Sequence, residues 1–298
     1  SSNSSRTCTF ARVERSRPIL GEDPLPPGPP EVPPINRCPS LPFCGCISFM
    51  THLQTAEKAA REAGVLLREN FHRDKEIDEA HHHDVKLALD RQSQDLITEI
   101  LLKEFPDYAL YGEEGIAGNQ DSPLQWIVDP IDGTVNYLYR IPHFCISIAL
   151  RENQTIIMGL IYDPMLDELW TVLKGEAPKL NGKETAPSNR TKLEESILFV
   201  GCGKDEEAMK SGLVRFERAS NRARKMRMMG SAALGMAYIA CGRLDAYIES
   251  RISLWDVASG ILLVEAGGGT VDMTPHPTIP DVWSIVATNG KIPIEEIL

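Results

Sequence analysis

The run Trp126-Ile127-Val128 carries an apolar strand directly into Asp129-Pro130-Ile131-Asp132-Gly133-Thr134, two carboxylates three residues apart followed by a Gly-Thr turn. Pro130 has no backbone donor and biases Asp129 towards an extended conformation, so a helix cannot run through this corner. The carboxylates therefore sit at a strand end, where they can converge. Hard oxygen ligands so arranged favour Mg²⁺ or Mn²⁺ over zinc. Gly133 permits close backbone approach, and the Gly133 and Thr134 amides open the next segment as a phosphate-binding turn of the kind found at helix N-termini.

Two further acidic clusters lie where apolar strands meet turns. Gly112-Glu113-Glu114-Gly115 follows Leu110-Tyr111, and Trp255-Asp256-Val257-Ala258-Ser259-Gly260 lies far downstream. Asp256 is expected to be the N-cap of a helix through Leu262, Leu263 and Val264 that ends at Gly267-Gly268-Gly269. Capping alone would account for an aspartate there. Taken together and in this order, the three segments resemble the inositol monophosphatase family of metal-dependent phosphatases. The resemblance runs from about Met50 to the C-terminus and takes in Asn136-Tyr137-Leu138-Tyr139-Arg140-Ile141-Pro142 and Gly159-Leu160-Ile161-Tyr162-Asp163-Pro164.

The resemblance implies an αβαβα sandwich in the α/β class, with an N-terminal antiparallel sheet, a C-terminal mixed sheet and the active site between the two halves. It implies that Glu113, Asp129 and the Ile131 carbonyl hold one Mg²⁺, and that Asp129, Asp132 and Asp256 hold a second, with Asp129 bridging. A third ion and Mn²⁺ are compatible with the same ligands. So many carboxylates without a cation would repel one another strongly, so the electrostatics point the same way. Asp90, in Asp84-Val85-Lys86-Leu87-Ala88-Leu89-Asp90, matches the family's aspartate that works with Thr134 to orient the attacking water. By composition alone Asp90 is an N-cap for a helix beginning near Arg91, and both roles can share one terminus. Gly133 and Thr134 would meet the phosphate, and Ser231, Ala232 and Glu249 the alcohol. A carboxylate at Glu249 suits vicinal hydroxyls. Its competing reading is an exposed turn residue paired with Arg251. The expected substrate is inositol 1-phosphate or a similar polyol or sugar phosphate, and the family is often homodimeric and lithium-sensitive. Fructose 1,6-bisphosphate, histidinol phosphate and 3'-phosphonucleotides are alternatives on similar folds. A non-catalytic role in a transcription complex is the alternative from another class.

Composition agrees with a folded enzyme without singling one out. The 298 residues are 42% hydrophobic and 24% charged, and the net charge of -11 argues against binding nucleic acid through a basic face. No apolar run approaches the ~20 residues that a membrane-spanning helix needs. Residues 1–49 differ in kind: they hold ten of the 21 prolines and four of the seven cysteines and show no helical or strand periodicity. Such a segment cannot bury enough apolar surface to order itself, so it reads as a disordered, non-native extension. Arg6, Arg12, Arg15, Arg17 and the early serines raise a transit peptide; the prolines, Glu22, Asp23 and Glu31 oppose it. Cys38, Cys44 and Cys46 lack the second well-spaced pair of a zinc site. Cys145, Cys202 and Cys241 are expected as buried free thiols, which fits a reducing, cytoplasmic compartment.

From Met50 the pattern alternates. One helix has a face of Ala56, Ala59, Ala60, Ala63, Leu66, Leu67 and Phe71, and a second has Leu96, Ile97, Ile100, Leu101 and Phe105 before Pro106. Short strands follow at 109–111, 125–129, 144–150, 156–162 and 168–172, divided by turn clusters. The second part predicts strands near 196–200, 225–229 and 284–287 and helices near 206–220 and 232–241. A boundary near Pro187 to Lys192 divides an N-terminal half (50–190) from a C-terminal half (191–298). His81-His82-His83 reads as a solvated loop, poorly spaced for one metal. The resemblance calls for a basic residue a few positions upstream of the Asp90 segment, where Glu79 to His83 stand, so Lys86 or a protonated histidine is the candidate cation near the phosphate. His143 reads as a packed loop residue, and Met226, Met228 and Met229 as fillers of core gaps. Trp170 and Trp283 are expected to anchor the sheets.

Overall fold

The computed structural model describes residues 44–81, 84–203, 205–279 and 281–298. The expectations for residues 1–43, and for His82 and His83, lie outside the described residues. Helix α1 (Cys44–Asn70) is longer than expected: Pro42 is the last proline of the tail, and beyond it nothing interrupts helix propagation, so the helix starts upstream of Met50. Ala56, Ala59, Ala60, Ala63 and Leu67 are fully buried, as their spacing requires. A short antiparallel hairpin, β1 (Ile77–His81) and β2 (Asp84–Leu87), leads into α2 (Ala88–Glu104).

The next strands are β3 (Ala109–Gly112), β4 (Gly115–Gly118), β5 (Leu124–Asp132), β6 (Cys145–Glu152), β7 (Thr155–Asp163), β8 (Glu168–Leu173), β9 (Lys179–Leu180) and β10 (Lys183–Glu184), with the short helix α3 (Thr134–Leu138) between β5 and β6. They form one eight-stranded sheet in the order β10-β9-β8-β7-β6-β5-β3-β4. Its pairings are antiparallel except that of β3 with β5, which is parallel. The exception has a simple origin: the tight turn at Glu113 and Glu114 folds β4 back onto the outer edge of β3, and the chain re-enters beside β3 in β3's own direction.

The later segment supplies β11 (Ile197–Val200), α4 (Glu206–Ser220), β12 (Lys225–Arg227), α5 (Ala232–Ala240), β13 (Ala246–Ser253), α6 (Leu254–Ala266), β14 (Thr270–Pro275) and β15 (Val282–Thr288). Its five-stranded sheet runs β12-β11-β13-β15-β14 and is mixed: β11 is parallel to both neighbours, and the other pairs are antiparallel. Helices α1 and α2 cover one face of the first sheet. α5 and α6 pack against strands of both sheets, and α4 packs on β11, β12 and β13. Among the described residues the layers are therefore αβαβα, as expected. α6 is apolar nearly all round, as a helix between two sheets must be: Val257, Ala258, Leu262, Leu263 and Val264 are all buried. Trp170 is fully buried in this central layer, while Trp283 is partly buried against it.

Candidate active site

Strand β5 ends in the Asp-Pro-Ile-Asp corner, and its last residues are buried. Pro130 cannot donate, so the first free amide after Asp129 is that of Ile131, which donates to Asp129 Oδ1 at 3.0 Å. This local bond fixes the carboxylate at the strand end. Gly133 follows with φ 101° and N-caps α3. A Cβ there would lie 3.1 Å from the carbonyl oxygens of both Gly230 and His143, so both the dihedral and the space call for glycine. Asn136 joins the same junction by donating to the carbonyls of His143 and Met229, each at 2.8 Å.

Asp129, Asp132 and Asp256 each offer an oxygen within 4.8 Å of the others. Burial first and then the charges of Glu113, Asp132 and Asp256 push the Asp129 carboxyl well above the usual carboxylate range. Asp129 is 1% exposed, and among the described residues no Lys or Arg pairs with it. An all-oxygen set of converging carboxylates is what a hard divalent cation requires. These residues fit Mg²⁺.

Glu113 stands in the turn after β3, its amide donating to the Val128 carbonyl at 3.1 Å, and it lines a cavity of about 500 Å³ together with the three aspartates, Ile131, Gly133, Thr134, Ser231, Ala232 and Glu249. Thr134 Oγ1 lies 3.0 Å from the Ile131 carbonyl and 3.3 Å from Asp90 Oδ1. With a single proton, the hydroxyl donates to one of these at a time. Burial, reinforced by Glu113 and Glu114, pushes the Asp90 carboxyl up to about 8 against the pull of its bond from the Leu87 amide.

The structure corrects several readings. Neither Asp90 nor Asp256 is an N-cap. Leu87 and Ser253 hold those positions, and each aspartate is the third helical residue, accepting the cap residue's amide at 2.6 and 2.9 Å respectively. Both helices start earlier than expected because the preceding strands run straight into them. Ser231 caps α5 and donates to Asp132 Oδ2 at 2.5 Å, while the Ala232 and Ala233 amides reach the same carboxylate at 3.2 and 2.7 Å. Asp132 is thus held at a helix N-terminus, an interaction that spacing in the chain could not reveal. Glu249 is not in an exposed turn. It sits within β13, accepting from the Tyr247 hydroxyl at 2.5 Å and the Gly203 amide at 3.1 Å, while Arg251 pairs with Asp205 instead. Met228 is not core: it is 56% exposed and lines the cavity, whereas Met226 and Met229 pack against hydrophobic clusters. His143 is packed beside Tyr238, and burial lowers its pKa. Cys145 and Cys202 are buried and Cys241 is partly so; all three are free.

The family model described as the inositol monophosphatase family matches residues 50–298. The chain belongs to the inositol monophosphatase family. It is 35% identical to inositol monophosphatase 1 of Solanum lycopersicum, over 82% of this chain and 93% of that protein. It is 34% identical to the Nus factor SuhB of Pasteurella multocida, over 83% of this chain and 94% of that one. The structure of an inositol monophosphatase from Anabaena (Nostoc) sp. PCC 7120 superposes with a TM-score of 0.72 at 34% identity, over 84% of this chain and 94% of that one. Among the described residues, no helix is long and apolar enough to cross a membrane.

The carboxylate cluster is expected to make the stability of this family member depend on pH. Carboxyls held above their unfolded values, about 3.9 for Asp, stabilise the fold below that pH and lose the contribution as pH rises through the folded value, about 8 for Asp90. Without divalent cations the protein is therefore expected to lose thermal stability between pH 6 and pH 8. Saturating Mg²⁺ should restore it, raising the melting temperature by on the order of 5 °C at 100-fold excess over Kd. Differential scanning fluorimetry with EDTA or Mg²⁺ checks this, and a Mg²⁺ shift that is larger at pH 6 than at pH 8 would contradict it.

Proposed function

We propose that this inositol monophosphatase family member is a Mg²⁺-dependent phosphomonoesterase that hydrolyses inositol 1-phosphate or a similar polyol or sugar phosphate. The observation that carries the reading is the convergence of Asp129, Asp132 and Asp256, with Glu113, on one cavity that also holds Thr134 and Glu249. When bound, Mg²⁺ supplies Lewis acidity and neutralises charge on the transferred phosphoryl group. Glu113, Asp129, the Ile131 carbonyl, Asp132 and Asp256 would hold it. Thr134 orients the attacking water, and Asp90, placed behind the Thr134 hydroxyl, fixes the direction of that group's proton. The Gly133 and Thr134 amides face the phosphate, and Glu249, braced by Tyr247, accepts hydrogen bonds from substrate hydroxyls.

Phosphate release measured on inositol 1-phosphate, fructose 1,6-bisphosphate, histidinol phosphate and a 3'-phosphonucleotide, with Mg²⁺ or with EDTA, tests this. The expected result is Mg²⁺-dependent release, fastest from inositol 1-phosphate. Release that persists undiminished in EDTA overturns the metal mechanism, and preference for histidinol phosphate or the 3'-phosphonucleotide overturns the substrate class. Similarity to proteins named Nus factor SuhB favours a second reading, a binding role in a transcription complex. The complete carboxylate set favours the enzyme, and absence of release from every ester would favour the binder.

A further inference from the structure

Glu113 lines the same cavity as the three aspartates but is carried there by a separate segment, the tight turn between β3 and β4. That turn is held in an unusual way. Gln94, on α2 and 6% exposed, accepts the Glu114 amide on Oε1 at 2.9 Å and donates from Nε2 to the Gly115 carbonyl at 3.2 Å. One side-chain amide thus bridges both ends of the turn just beyond Glu113. Gly112 makes room for it: a Cβ at residue 112 would lie 2.2 Å from Gln94 Oε1. Glu114, whose side chain is 5% exposed, turns away from the cavity and pairs with Lys86 of β2 at 3.2 Å. Lys86, one of the two candidate cations for the phosphate, is therefore engaged by this turn, and through it the β1–β2 hairpin is tied to the Glu113 turn.

We propose that Gln94 and Lys86 are positioning residues for Glu113, setting the affinity of the cation that Glu113 holds, and that Gly112 is required so that the Gln94 amide can reach the turn. Neither residue touches substrate. Outer-shell groups of this kind alter metal affinity by about 10–100-fold when removed. The inference rests on Glu113 being a metal ligand, as the proposed function assigns.

The test is Mn²⁺ binding to the full chain without substrate, followed by electron paramagnetic resonance, with far-UV circular dichroism and melting in EDTA as controls for folding. Glu113→Gln identifies the affected cation class. Gln94→Ala is expected to weaken that class about tenfold, and Gln94→Glu, which keeps the size and the acceptor but loses the donor to Gly115, should weaken it too. Lys86→Met should weaken it less, with Lys86→Arg restoring it. Gly112→Ala should weaken binding as Gln94→Ala does, and the double variant should be no worse than Gln94→Ala alone, because the clash needs the glutamine. Normal binding in Glu113→Gln overturns the ligand assignment and the inference with it. Loss in Glu113→Gln alongside normal binding in folded Gln94→Ala or Gln94→Glu overturns the inference alone.

Discussion

Replacing Asp129 by Asn is expected to lower kcat for Mg²⁺-dependent phosphate release by about 10³-fold or more, roughly 4 kcal/mol of transition-state stabilisation. Asn keeps the acceptor that receives the Ile131 amide, so the strand end need not rearrange. What it removes is the ionisable carboxyl that burial and the charges of Glu113, Asp132 and Asp256 hold well above the usual range. The same change should therefore raise the melting temperature of the cation-free protein at pH 8, where the wild-type carboxylates repel most, and should shrink the Mg²⁺-induced shift. Steady-state kinetics and calorimetry on one preparation measure both. Undiminished activity in this variant would sink the metal mechanism.

Thr134→Ala should lower kcat about 100-fold, the scale of a lost proton-positioning group. Asp90→Asn should cost a similar amount, because Asp90 acts through the Thr134 hydroxyl. The combined variant should be no slower than the worse single one, since residues acting as a unit are not additive. Mn²⁺ affinity in all three should stay near wild type, which separates water orientation from metal binding. Additive losses in kcat would show that the two side chains act independently.

Much of this was legible along the chain, and the parts that were not share a cause. β5, β6 and β7 are apolar runs ended by turn residues, and periodicity finds such strands. The β1–β2 hairpin and the two-residue strands β9 and β10 are short and polar, β4 is only Gly-Ile-Ala-Gly, and all exist because a neighbour offers a ladder. β13 reads Ala-Tyr-Ile-Glu-Ser-Arg-Ile-Ser, and its charges hide the alternation because one stretch faces the cavity. At the site, Asp129 and Asp132 announce themselves by spacing alone. Ser231 under Asp132, Gln94 in the Glu113 turn and Tyr247 behind Glu249 do not: each gains its role from a contact made only in the folded chain. The Gly of Gly112-Glu113-Glu114 was the one local hint that something packs against that turn.

α6 lies across both sheets and brings Asp256 to a corner formed by β5, much earlier in the chain. These carboxylates meet only after a very long loop has closed, and their repulsion opposes that closure. The site is thus a region of high contact order, and its completion is expected late in folding. A cation that recognises only the finished arrangement acts as a latch on it: it slows opening of the native state and does little to hasten its formation.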